Sequence, residues 1–165
     1  MTNHEPESTE VRMTVPAISG QELVAAQAAA SFAESAGADE ATVGDIRMAV
    51  IEGCINAIEH AFPNGSITGI RNNCAPSEVD LKFQLIPADD ERGRRATIRI
   101  VIRDAGCGFD LTKYEEPTLE KKLHSSRKRG WGLKLIRGFM DDLNVISGRE
   151  GTTLEMSKRL ATEAD

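Results

Sequence analysis

Glu52, Asn56 and His60 recur at four-residue intervals in the run Glu52-Gly53-Cys54-Ile55-Asn56-Ala57-Ile58-Glu59-His60. On a helix such residues stack along one face. That face would carry a carboxylate able to accept a proton, an amide oxygen able to ligate a hard cation, and an imidazole. Magnesium takes oxygen ligands and keeps several waters, so one amide plus phosphate oxygens would hold it. The same stripe also suits the plain solvent face of an amphipathic helix, and His60 fits a satisfied histidine at a helix end.

Two glycine motifs follow. Asp104-Ala105-Gly106-Cys107-Gly108-Phe109 comes directly after an apolar run. It fits a β-turn, or a site in which Asp104 accepts a hydrogen bond from an exocyclic amine such as that of adenine. Gly106 and Gly108 would then let backbone approach the base. Gly130-Trp131-Gly132-Leu133 precedes a helical pattern. It reads either as loop glycines before a helix or as a phosphate site, because the free N–H groups of a helix N-terminus attract anions. Neither motif is G-x-x-x-x-G-K-[ST], which excludes a P-loop. The second does not follow a strand, which argues against a dinucleotide fold. The basic run Lys121-Lys122-Leu123-His124-Ser125-Ser126-Arg127-Lys128-Arg129 is either a solvated charge cluster or a set of cations for phosphate or a partner.

The elements that must position these residues come from one domain of 165 residues, long enough for a real core. Net charge is −6, which disfavours direct, non-specific nucleic-acid binding. No apolar run approaches bilayer length, and the acidic start is not a signal peptide. The three cysteines, Cys54, Cys74 and Cys107, show no CxxC spacing and leave one unpaired, as expected of reduced thiols in the cytoplasm rather than of a metal cluster.

Residues 1–10 lack apolar periodicity and are expected to form a tail, with 161–165 as a second one around a single domain at 11–160. A short strand is expected at 11–15. Ser19-Gly20-Gln21-Glu22 reads as a capping box with Ser19 as N-cap, opening a helix that ends near Ser35 and Gly37. A second helix over 41–61 buries most of its surface and leaves a polar stripe of Asp45, Glu52, Asn56, Glu59 and His60. Residues 63–77 read as a loop. Alternation in 79–85 and 98–102 predicts two strands joined as an antiparallel hairpin. Residues 110–129 form a charged segment, 133–142 a helix, and 143–146 with 152–156 a closing hairpin around Gly148 to Gly151. Strands in hairpin pairs favour α+β over a doubly wound sheet.

The ordered set resembles the GHKL, or histidine-kinase-like, ATP-binding superfamily, and within it the anti-sigma-factor serine/threonine kinases of bacteria. Glu52-x-x-x-Asn56-Ala57-x-x-His60-Ala61-Phe62 resembles the N box. Asp104-x-Gly106-x-Gly108-Phe109-Asp110 and Gly130-x-Gly132-Leu133-x-Leu135-Ile136 resemble the two glycine boxes, and Gly151-Thr152-Thr153-Leu154 the terminal Gly-Thr strand. The resemblance implies a two-layer α/β sandwich, with a mixed, mostly antiparallel sheet and helices on one face. It implies ATP and Mg²⁺ as ligands, with Glu52 as general base and Asn56 as the metal ligand. Asp104, Gly106 and Gly108 would lie at adenine, Gly130, Gly132 and Leu133 at the end of an ATP lid over 110–129, and Thr153 near the base. It further implies an anti-anti-sigma protein as substrate, a sigma factor as sequestered partner, and a homodimer. Trp131 is bulkier than that resemblance leads one to expect.

A non-catalytic module that sequesters a regulator on the same fold is the competing expectation. The presence of Glu52 favours the kinase, since a binding-only relative could lose that carboxylate and keep the fold. A histidine kinase would need a phosphoacceptor helix pair for which the chain has no room.

Overall fold

Alternation of apolar and polar residues, period two, sets the sheet. In the computed structural model, which describes residues 9–59, 78–106, 108 and 131–161, strand β2 (Glu78–Ile86) buries Val79, Leu81 and Phe83, and β3 (Thr97–Asp104) buries Ile98, Ile100 and Ile102. These strands pair antiparallel with Leu81 opposite Ile102. β1 (Glu10–Pro16) adds on one side, placing Val15 opposite Val79. β5 (Gly151–Arg159) pairs with β3 on the other side, and β4 (Asp142–Gly148) pairs with β5. The order is β1-β2-β3-β5-β4 in a five-stranded sheet, and every described pairing is antiparallel, with no parallel pair of the kind a mixed sheet would carry.

Three helices are described: α1 (Gln21–Ser35), α2 (Glu40–Glu59) and α3 (Trp131–Phe139). Their apolar residues join the buried row of the sheet in one core. α1 contributes Ala25, Ala26, Ala29, Ala30 and Ala33, all buried, and small side chains allow close approach to α2. Phe32 of α1 meets Phe83 of β2 with ring centroids 5.9 Å apart, a spacing in the range of favourable aromatic pairs. α2 presses onto β3 at Gly53, where a Cβ would lie 2.6 Å from Ile102 Cδ1. The opposite face of the sheet carries Asp80, Lys82, Arg99 and Glu155, in the residue positions between the buried ones. Helices on one face and charge on the other give the α+β two-layer architecture.

Several local expectations need correction. The strand β1 already begins at Glu10, inside the expected tail. The N-cap of α1 is Gly20, in left-handed conformation at φ 96, and no side chain caps it from that position. Glu22 Oε2 accepts the Gly20 N–H at 2.8 Å, one residue beyond the Ser19 N–H that the expected capping box would use. α2 is capped by Asp39, whose Oδ1 accepts the Thr42 N–H at 2.7 Å. The third helix starts at Trp131 and stops at Phe139, after which residues 142–148 form a strand. His60, the 63–77 stretch, the 110–129 segment with its basic run, and Gly130 lie outside the described residues. No helix among the described residues is long and apolar enough to cross a membrane.

Candidate functional site

The chemistry gathers at one end of the sheet, where β3 finishes and β5 begins. Asp104, the last residue of β3, faces Thr152 across the ladder. Residues directly opposite in an antiparallel pair project to the same side, here the helical side, and both are buried (Asp104 4% and Thr152 5% exposed). One step back along the same face is the Ile102–Leu154 pair, on which Gly53 of α2 rests. The helix segment carrying Glu52 and Asn56 therefore sits directly over this end of the sheet.

A buried carboxylate must be hydrogen-bonded. Asp104 Oδ1 accepts the Gly106 N–H at 2.8 Å, closing an Asx-type turn that fixes the carboxylate's orientation. A carboxylate has acceptor capacity beyond one such bond. Gly151, at φ 114, enables this junction: a Cβ there would run into the Asp104 carbonyl oxygen. Gly108, at φ 63, is needed for a similar reason, because a Cβ would strike the Gly148 carbonyl oxygen in the β4–β5 turn. Packing of chain against chain thus accounts for Gly108 without invoking a base. Thr152 Oγ1 lies 2.9 Å from Ser147 Oγ on β4, which adds a second hydroxyl beside the Asp104 rung.

On the helical side, Asn56 and Gly132 meet. A Cβ on Gly132 would lie 2.8 Å from Asn56 Nδ2 and 2.9 Å from Oδ1. The first turn of α3 can approach the amide only because position 132 has no side chain. Asn56 Nδ2 is buried and has no hydrogen-bond partner. The two ends of an amide are assigned rather than seen, and in this arrangement it is the nitrogen that stands unsatisfied. Such an atom beside a helix N-terminus fits an added ligand, either a cation on the oxygen or an acceptor on the nitrogen. Among the described residues no group of three or more His, Cys, Asp and Glu could hold a metal. A cation here would depend on the amide and on oxygens supplied by its ligand.

Glu52 is half-buried one turn before Asn56. Desolvation, and secondarily the charge of Glu59, push its pKa above the usual carboxylate value. An ionised carboxylate with a raised pKa is the stronger base. Cys54, two residues on, is the opposite case: fully buried, with its thiol pushed up to about 12 by burial and then by Glu22. It is a core residue and no nucleophile.

Two expected site residues do not fit. Thr153 pairs with Arg103 and projects to the face away from the helices; Thr152 holds the place beside Asp104. The signal was available, since Thr152 shares its parity with Leu154 and Met156, both buried. Leu133 is buried with Ile136 in the core that α3 shares with α2 and the sheet. Trp131, opening α3, has Lys134 Nζ at 5.4 Å from its ring centroid, within cation–π range. Glu52, Asn56, Asp104, Gly106, Gly108 and Gly132 are brought to the same end of the fold.

Comparison with known proteins places the chain in a family. A family model described as a histidine kinase-like ATPase domain matches residues 16–158. The chain is 30% identical over 157 residues to the serine-protein kinase RsbW of Oceanobacillus iheyensis, covering 93% of this chain and 88% of the relative. It is 30% identical over 154 residues to the anti-sigma F factor of the same organism, covering 92% and 93%. RsbW of Halalkalibacterium halodurans is 29% identical over 164 residues, covering 97% and 88%. Among solved structures, the RsbU and RsbW domains of a Mycobacterium tuberculosis protein superpose with a TM-score of 0.57 at 19% identity, over 93% of this chain and 33% of that one, a likeness of fold.

Proposed function

Because this chain belongs to the histidine kinase-like ATPase domain family, we propose that it is an ATP-dependent protein serine/threonine kinase. Its substrate is a Ser or Thr hydroxyl on an anti-anti-sigma partner, and it also sequesters a sigma factor. The observation that carries the nucleotide part is the contact of Asn56 with Gly132, which joins an unsatisfied amide to a helix N-terminus at the mouth of the fold. The relatives' names, serine-protein kinase and anti-sigma F factor, support the rest.

In this reading Asp104 accepts from the adenine amine, and Thr152 adds a hydroxyl that can donate to a ring nitrogen. A site with a buried acceptor rejects bases lacking the matching donor. Gly106 keeps the turn beneath the base narrow. The N–H groups at Gly130 and Gly132 bind phosphate oxygens. The Asn56 side-chain oxygen would hold Mg²⁺, which when bound would offset phosphate charge. Glu52 takes the proton from the attacking hydroxyl, a step worth about 10²–10⁴-fold. Positioning and charge supply the remainder, as is general for phosphoryl transfer. The same reading makes the protein a cytoplasmic homodimer of bacterial type without direct contact to nucleic acid.

Calorimetric titration with ATP, with and without Mg²⁺ and with GTP as control, tests this directly. Mg²⁺-dependent, adenine-selective binding is expected. Folded protein that takes up no ATP would leave a non-catalytic regulator-binding module.

A further inference from the structure

The first half of α2 and the last turn of α3 lie at the far ends of the helices that carry Asn56 and Gly132, and one side chain holds both. Lys158, near the end of β5, donates Nζ to Asp45 Oδ2 at 2.8 Å and to the Phe139 carbonyl oxygen at 2.6 Å. Its side chain is only 18% exposed, so the ammonium requires such partners. Phe139 closes α3, and its carbonyl is one of the acceptors left without a partner at a helix C-terminus, where a cation is favoured. The chain just beyond is fastened to the same strand. The Asp141 N–H donates to the Ser157 carbonyl at 3.0 Å, and Asp141 Oδ2 accepts the Arg159 N–H at 2.7 Å.

α3 has nine residues, about 13 Å at the α-helical rise. A rod this short carries any shift at its C-terminus to Gly132 at the other end. α2 transmits from Asp45 to Asn56 in the same way. The Asn56–Gly132 contact tolerates little movement, since there is no room for even a methyl group between them.

We propose that Lys158 is a positioning residue for the nucleotide site: by holding Asp45 of α2 and the end of α3 on one ammonium, it sets the closeness of Gly132 to Asn56. This rests on the nucleotide reading above. The contact spans 113 residues of sequence to Asp45 and 19 to Phe139, so only the folded chain contains it.

The test is Mg-ATP affinity, measured by calorimetry well below the melting temperature on wild type, Lys158→Met, Lys158→Arg, Asp45→Asn and the Lys158→Met/Asp45→Asn double variant. Lys158→Met is expected to bind ATP about tenfold more weakly, at the modest end of what ångström-scale misplacement causes. Lys158→Arg keeps the charge and donors and should recover most of the loss. The double variant should bind no more weakly than Lys158→Met, as expected for two residues acting through one contact. A lower melting temperature in Lys158→Met with unchanged ATP affinity would mean a merely structural lysine and would overturn the proposal. Should Lys158→Met fail to fold, Asp45→Asn, whose side chain is 36% exposed, decides by the same titration, and unchanged affinity there overturns it too. Wild-type protein that binds no ATP would instead overturn the nucleotide reading itself.

Discussion

Gly132 approaches the Asn56 amide so closely that an added Cβ would lie 2.8 Å from Nδ2 and 3.2 Å from Cγ. Two segments 76 positions apart in sequence are thereby fitted to each other at atomic distance. Gly132→Ala should displace the Asn56 side chain. The amide is the mobile end of a side chain, and alanine favours a helix over glycine by roughly 1 kcal/mol, so stability should change little. ATP affinity should fall about tenfold or more, corresponding to about 1.4 kcal/mol. Thermal melting and calorimetry on the same preparation separate the two effects.

Glu52→Gln should remove phosphotransfer while ATP binding persists, a loss of about 10²–10⁴-fold. Unchanged transfer in a single-turnover assay would remove Glu52 from the role of base. The same variant has a stability signature. The folded chain holds the Glu52 proton more tightly than the unfolded chain does, because burial and Glu59 raise its pKa. That contribution is complete below the ordinary value of 4.5 and is lost as pH rises through the folded pKa. Gln avoids the loss, so Glu52→Gln should melt higher than wild type near neutral pH, with the difference vanishing in acid.

Thr152→Val and Thr153→Val are a matched pair that reads which face serves the site. Thr152→Val removes the bond to Ser147 and the hydroxyl beside Asp104, and should weaken ATP binding about tenfold, as losing a hydrogen bond of about 1 kcal/mol or more would. Thr153→Val, on the other face opposite Arg103, should leave ATP affinity unchanged. Equal losses would mean that the strand's phase is wrong.

Gly151→Ala should be severe. Its φ of 114 strains any other residue, and the new Cβ would meet the Asp104 backbone, which cannot turn aside. Strain alone costs about 1–3 kcal/mol, and the collision adds to it. Gly93, at φ 62 with open space around it, supplies the control: Gly93→Ala should cost only about 1–2 kcal/mol. Urea titration of both variants checks the order.

Cys54 should resist alkylation by iodoacetamide until denaturant is added, since its thiol is fully buried and its pKa stands near 12. Peptide mass mapping of folded and unfolded samples reads this.

Much of this was legible in the sequence, and the reasons are specific. Val79, Leu81 and Phe83 alternate with charges because only one sheet face is covered, and a period of two survives in sequence whenever that holds. Glu52 and Asn56 could be placed on one helix face, and Asp104 at a strand end, from spacing alone. Ser19 was misplaced as a cap because serine preference says nothing about the left-handed turn that Gly20 adopts. Leu133 adjoins a glycine motif and so reads as a ligand contact, yet its apolar side chain is part of the core. The Asn56–Gly132 fit and the Lys158 bonds were not legible, since they exist only where distant elements meet.

The strand order has a kinetic consequence. β2–β3 and β4–β5 are hairpins that can form from neighbouring residues, whereas the β3–β5 seam joins Thr97–Asp104 to Gly151–Arg159 across the intervening chain. Pairings between sequence-distant segments bear their loop-closure entropy before they are rewarded, and so form slowly. That entropy grows by only about 0.6 kcal/mol per doubling of length, so lengthening the stretch between Asp104 and Trp131 should slow folding more than it weakens the product. Asp104 and Thr152 lie on opposite sides of the seam, and neither hairpin alone contains both. Recovery of ATP binding after dilution from denaturant should therefore lag the return of strand and helix circular dichroism, making the nucleotide a reporter of when the β3–β5 seam closes.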